Sequence, residues 1–320
     1  MKKTFRRTKA LWITVTVAAV ALLAGASLAQ FAPTSATGSV ETFAVGNGPE
    51  GVAFDGNYIW VANQFDNTVT KLRPGNGSVV GTFTAGTRPV YVAANVSGGQ
   101  PSVWVTNLRD NTVTKLKAND GSVLGTFTTG NGPGAVVFDA GGVNMWVANR
   151  DDNTVTQFRV SDGAVLNTIT VGTRPMGLAY DGANIWVANN FDNTVTKLSA
   201  GTGANLGTSP VGRGPFGVAS DGSNVWVANF FAKSVTKVRI SDGAVLGTFT
   251  VGDGAAAVAF DGTNIWVTNN GDNTVTKLRP SDGAVLATLS TGGVSPFGIA
   301  FDGGGRLWVA NFGSDTVSKQ

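Results

Sequence analysis

The sequence contains no cysteine and no histidine. Without cysteine, no disulfide can hold the fold and no thiolate can serve as nucleophile or metal ligand. Without histidine, the commonest general base, the commonest metal ligand and every Ser-His arrangement are gone. Together these absences remove the usual ligand sets for zinc and copper. Charge is also scarce, at 13% of the residues. Glycine, by contrast, reaches 44 of 320 residues, and 42% of the chain is hydrophobic. The apolar stretches are rich in β-branched residues, which argues against disorder.

The first 29 residues read as a signal peptide. Lys2, Lys3, Arg6, Arg7 and Lys9 form a basic start, and Ala10 to Ala24 is an apolar run too short for a membrane span. Ser27 and Ala29 are small residues that suit cleavage before Gln30. Residues 30–37 are then a short linker, and 38–320 a single domain. The leader also carries the basic charge. Removing its five basic residues from 23 Lys+Arg leaves 18 against 20 Asp+Glu, a balance of −2. Nucleic acid is therefore not an expected partner, and no stable membrane span remains after cleavage. The expected location is periplasmic, extracellular or at the cell surface.

Seven tryptophans punctuate the remainder: Trp60, Trp104, Trp146, Trp186, Trp226, Trp266 and Trp308, at spacings of 44, 42, 40, 40, 40 and 42 residues. A period of about 40 with strand signals means stacked β-blades. Residues 171–210 serve as the type unit. A Gly/Pro turn leads into a short apolar strand, Gly177 to Tyr180. Asp181-Gly182 is a hairpin signal, and Asn184 to Asn189 is the second strand. Thr194 to Leu198 alternates as a third strand, and "ANLGTSP" is a fourth. The predicted fold is an all-β, seven-bladed β-propeller of four-stranded antiparallel blades. The seventh unit ends at Gln320 after its third strand, whereas residues 39–44 match the fourth strand of other units. The N-terminus is therefore expected to complete the last blade. Trp186 and Ala188 should face one neighbouring blade, and Ile185 and Val187 the other.

The segments "IWVANNFDNTVTKL", "VGTRPMGLAYDG" and "SDGAVLGTFTVG" resemble YVTN-type β-propeller repeats of bacterial exported and surface proteins. More distantly, the chain is similar to the seven-bladed streptogramin lyases. That second resemblance implies chemistry that relies on histidine and a divalent metal, and this sequence has no histidine.

Repeated motifs read as architecture. Asp-Asn-Thr recurs at Asp66, Asp110, Asp152, Asp192 and Asp272. Single carboxylates in such loops suit hydrogen bonding to turn backbone better than calcium binding. Asn63, Asn107, Asn149, Asn189, Asn229, Asn269 and Asn311 end the second strands and should hold the following loops. The Gly/Pro turns lack the helix that a phosphate loop requires. These motifs imply no metal or cofactor.

Function is sought where the copies diverge, on the face carrying the inter-blade turns and the turns between second and third strands. Arg88, Arg109, Arg150, Arg174 and Arg213, five of the ten arginines of the mature chain, fall there. So do Glu50, Met176, Phe216, Phe230, Phe231, Asp253 and Phe297. Arginine and exposed aromatics are common anchors of recognition surfaces. The alternative is that the arginines pair with aspartates such as Asp66, Asp151 and Asp192. The expectation is a monomeric, non-catalytic binding module that takes a protein, glycan or anionic polymer on this face. A propeller lyase or hydrolase, and a structural surface component, are the alternatives. An enzyme would need carboxylates to converge, and Glu50 and Asp253 are the candidates.

Overall fold

The computed structural model describes residues 39–97 and 100–320. The expected signal peptide (1–29) and linker (30–37) lie outside the described residues. Twenty-eight strands, numbered in chain order from β1 (Glu41–Ala44) to β28 (Thr316–Lys319), form seven four-stranded sheets. Blade four shows the unit: β14 (Pro175–Tyr180), β15 (Asn184–Asn189), β16 (Thr194–Ser199) and β17 (Asn205–Pro210). Each strand pairs antiparallel with its neighbour. The inner strand thus starts two residues earlier than the glycine suggested. Its pairing with β15 skips from Pro175 to Leu178, leaving a bulge at Met176 and Gly177. Such a bulge re-aims side chains at the rim of a sheet, and it recurs in the innermost strands that carry Glu50, Phe216 and Phe297.

The ring closes as the sequence predicted. β1 pairs with β28, and the last sheet runs β1-β28-β27-β26, with β26 at Pro296–Phe301 and β27 at Leu307–Asn311. Phe43 stacks on Trp308 at 5.7 Å between ring centres. At several of the points where inner strands of adjacent blades approach, a side chain would not fit. A β-carbon on Gly51 would lie 2.7 Å from the Val90 carbonyl oxygen, and one on Gly217 2.5 Å from that of Ala256.

The core lies between blades. Trp186, Ala188 and Val195 pack on Val225 and Val227 of blade five, while Ile185 and Val187 pack on Trp146 and Ala148 of blade three. The tryptophans also brace the ring. The Trp186 indole N–H donates to Asp181 Oδ2 at 2.7 Å, anchoring the hairpin between first and second strands. The Lys197 ammonium lies 5.5 Å from the Trp186 ring centre and donates to the Ile240 carbonyl of the next blade at 2.6 Å. At the ring junction, Lys319 reaches the Gly75 carbonyl of the first blade at 3.2 Å. The brace departs from this pattern in three blades: in blade two the Trp104 indole donates to Ser102 of its own strand at 3.1 Å, and in blade three Gln157 stands where the lysine would be. In blade three, Asp139 sits seven residues before Trp146 and is engaged by Asn144, so the indole N–H is buried without a partner. In blade six, Lys277 faces a last blade whose third and fourth strands come from opposite chain ends, so it has no hairpin carbonyl to meet; Trp266 is partly exposed there. Among the described residues, no helix is long and apolar enough to cross a membrane.

Candidate functional site

The turns of the loop face are held by the repeated polar residues. In blade four, Asn189 Nδ2 donates to Thr194 Oγ1 and Thr196 Oγ1, and its Oδ1 accepts the Gly172 N–H at 3.1 Å. Asp192 accepts the Thr173 N–H. Asn193, in the left-handed region at φ 56°, accepts the Gly214 N–H of the next blade at 2.8 Å. The Asp-Asn-Thr motif therefore stitches each turn to its own blade and to its neighbour, in keeping with the turn-forming habit of Asp and Asn.

On this scaffold the variable side chains fall into two positions. The residue after each strand-ending asparagine is Gln64, Leu108, Arg150, Asn190, Phe230, Asn270 or Phe312, buried or half-buried in every blade. The next residue is Phe65, Arg109, Asp151, Phe191, Phe231, Gly271 or Gly313, exposed in every blade. The expected site drew on both positions as if they were one.

The inner position and the innermost strands build an aromatic arc over blades five to seven, which the exposed Phe65 of blade one extends. Ring centres are 6.0 Å apart for Phe230 and Phe216, 6.0 Å for Phe216 and Phe297, 5.7 Å for Phe297 and Phe312, and 5.5 Å for Phe312 and Phe65. Phe216 and Phe297 meet across blade six, whose counterpart Ala256 is small and fully buried. Aromatic pairs at 4.5–7 Å contribute beyond their burial.

The polar part occupies blades one to three. Gln64 Nε2 donates to Glu50 Oε2 at 2.7 Å, and its Oε1 accepts from Arg88 at 3.1 Å. Burial pushes the Glu50 carboxyl up to about 7, against the opposing pull of Arg150, Arg88 and the Gln64 hydrogen bond. Burial also raises the Tyr91 hydroxyl above its ordinary value, helped by the Glu50 charge. The Arg150 guanidinium is held below its usual range, mainly by burial, and it feels Asp151, Arg174, Glu50 and Arg88. The Nε atoms of Arg88 and Arg150 are both buried and make no hydrogen bond, that of Arg150 facing Asp151 Oδ1 at 3.6 Å.

The outer position carries the exposed rim. Arg174 lies over Phe191 at 4.8 Å, Arg88 over Phe65 at 5.6 Å, and Arg213 over Phe231 at 5.7 Å. Arg109 is exposed. Of the five candidate arginines, Arg150 alone has an ion pair among the described residues, with Asp151 at 3.6 Å. Asp66 and Asp192 bind turn N–H groups instead. Arg88 and Arg174 adopt φ 56°, where other blades place Gly48, Gly132, Gly214, Gly254 and Ser295. Long side chains in the left-handed region are uncommon and point to a local role.

The remaining candidates divide. Met176 is buried at 7% exposure. Asp253 lies away from Glu50 and pairs with Lys233 at 2.8 Å, so the two carboxylates do not converge. Gln64 and Tyr91 were missed. Tyr91 was findable, because the inner strands carry glycine or alanine at its position in every other blade: Gly51, Ala135, Gly177, Gly217, Ala257 and Gly298. Two open clefts lie on the opposite face, of about 490 Å³ beside Lys237 and Phe260 and about 310 Å³ beside Tyr58 and Pro101. Several of their polar groups are already committed, Asp221 to Trp226, Lys237 to the Pro280 carbonyl and Asp55 to Trp60.

The model of the virginiamycin B lyase family matches residues 37–319. The chain belongs to that family. Of the two resemblances read from the repeats, the streptogramin lyase one is thus shown; the YVTN-type label is not. A solved streptogramin B lyase superposes with a TM-score of 0.76 at 17% identity, covering 88% of this chain and 96% of that one. The virginiamycin B lyase of Staphylococcus aureus gives 0.75 at 18%, covering 88% and 98%. The hydrazine synthase of Kuenenia stuttgartiensis gives 0.75 at 15%, covering 92% and 99%. At such identities the likeness shows the fold alone, and proteins named for different chemistries share it. No curated protein sequence matches the chain.

Proposed function

We propose that this member of the virginiamycin B lyase family is an exported, non-catalytic binding module that takes an anionic partner on its loop face. One observation carries the reading: three exposed phenylalanines on that face each lie under an arginine, and none of those arginines forms an ion pair among the described residues. Exposed Arg–aromatic pairs present charge and flat apolar area together. Arg174→Glu with Arg213→Glu tests it. The wild-type chain is expected to bind immobilised poly-glutamate with an affinity that falls as salt rises, and the double variant to lose that binding. Retained binding in the variant overturns the reading.

A lyase reading keeps one supporting observation besides family membership, the Glu50 carboxyl at about 7, which suits a general base at neutral pH. In the Staphylococcus aureus lyase, a form with a histidine replaced by alanine is catalytically inactive and was solved with quinupristin, at 18% identity to this chain. This sequence has no histidine at all. Opening of quinupristin by the wild-type protein, lost in Glu50→Gln, would establish the lyase reading in place of the binding one.

A further inference from the structure

The channel mouth differs in character from the rim around it. One side is the aromatic arc, closed by the contact of Phe216 with Phe297 over blade six. The other side holds two half-buried arginines, Arg88 and Arg150, from blades two and three. Glu50 joins the halves: it stands at the position of Phe297 in the next blade, and its carbonyl is so close to Gly298 that a β-carbon there would collide. The chain offers these arginines one carboxylate inside the mouth, Glu50, and one outside it, Asp151. Neither guanidinium Nε makes a hydrogen bond, and only that of Arg150 has a carboxylate oxygen opposite it, Asp151 Oδ1 at 3.6 Å. Such orphaned donors are rare in folded proteins unless something else satisfies them.

We propose that the channel mouth binds a small aromatic carboxylate, its ring against Phe216, Phe297 and Phe312 and its anionic end on Arg88 and Arg150. The proposal rests on the loop-face binding reading and gives it a second, small-molecule subsite. The ring end gains offset or edge-on contacts with the arc. The carboxylate gives the two half-buried guanidinium groups a shared acceptor, through charge-assisted bonds.

Glu50 then sets the affinity. The charged groups around it are Arg88 and Arg150, the uncharged ones Gln64 and Tyr91. When its carboxyl is ionised, it competes with the ligand for the arginines. When it is protonated, the arginines are free for the ligand. Since that carboxyl titrates at about 7, binding should tighten as pH falls through neutrality, and an occupied mouth should in turn favour protonated Glu50.

Calorimetric titration with 2-naphthoate tests this, with 2-naphthamide and hexanoate as controls that lack the charge and the ring. Each control is expected to bind at least about tenfold more weakly than 2-naphthoate. Arg88→Gln and Arg150→Gln should each weaken 2-naphthoate by about tenfold and leave the amide unchanged. Phe216→Leu should weaken 2-naphthoate and not hexanoate. Glu50→Gln should hold at about pH 8.5 the affinity that the wild type shows at about pH 6. Should Arg88→Gln fold poorly for want of its bond to Gln64, Arg150→Gln carries the charge test alone. Equal affinity for acid and amide, indifference to both arginine variants, or no heat from 2-naphthoate overturns the proposal. Poly-glutamate capture that persists while 2-naphthoate fails overturns only this subsite; 2-naphthoate binding that persists while poly-glutamate fails overturns only the rim.

Discussion

Glu50 shows what a single residue costs in this fold. An inner-strand bulge turns it into the channel mouth, where Gln64 and two arginines offset part of its desolvation. Its carboxyl is pushed up from 4.5 to about 7, so the folded chain holds this proton more tightly than the unfolded chain. Stability from this residue is then full below the unfolded value and declines as pH rises toward about 7. Glu50→Gln removes that decline. The variant is expected to melt higher than wild type at alkaline pH and at the same temperature below the unfolded value. The full shift corresponds to about 3 kcal/mol, and because the channel leaves the carboxyl partly open to water, the gain should be smaller. A thermal melt series across pH checks it, and a variant that melts lower than wild type at alkaline pH contradicts the account. Tyr91 is a second residue of this kind. It occupies the one inner-strand position where every other blade carries glycine or alanine, and that contrast between the copies marks it in the sequence.

At the scale of the element, blade five departs from the repeat. Its turn carries Phe230-Phe231-Ala232-Lys233, with a short 3-10 turn over Phe230–Ala232. Lys233 sits at φ 50°, where the other blades place Asn67, Asn111, Asn153, Asn193, Asn273 and Asp315. Each of those accepts a backbone N–H from the following turn, as Asn193 does from Gly214. Lysine cannot accept, so blade five exchanges that bond for the exposed pair with Asp253. Asparagine tolerates the left-handed region better, and an exposed ion pair contributes little. Lys233→Asn is therefore expected to raise stability by about 0.5–1 kcal/mol. A denaturant midpoint shifted downward would refute the argument. The same element shows what the sequence could convey. The second strand, the asparagine that ends it and the turn carboxylate were legible because each copy repeats the chemistry. The mouth was legible in part: Glu50, Arg88, Arg150, Phe216 and Phe297 stood among the candidates, but two adjacent turn positions, one half-buried and one exposed, differ only by a step that the period does not mark. Arg150 and Phe65 thus looked alike in the sequence and face different surroundings in the fold.

The whole molecule is a ring with no covalent clasp, since the chain has no cysteine. Six blades are continuous in sequence, and the seventh joins β26, β27 and β28 to β1 from the other end of the domain. The clasp is small: four paired positions from Glu41–Lys319 to Ala44–Thr316, the Phe43–Trp308 stack, and the Lys319 reach to Gly75. Its leverage is larger than its size, because its loss exposes both an edge of β28 and one face of Trp308, which is otherwise fully buried. An unpaired edge strand invites association with another chain. A chain beginning at residue 45 should therefore melt at least about 5 °C below one beginning at 39 and should self-associate on gel filtration. Phe43→Ala separates the contributions. It keeps the strand pairing and removes the stack, so its melting temperature should fall between the two. If the shortened chain melts with the full-length domain and stays monomeric, closure by β1 contributes nothing, and the ring must be held by the lysine braces between the blades.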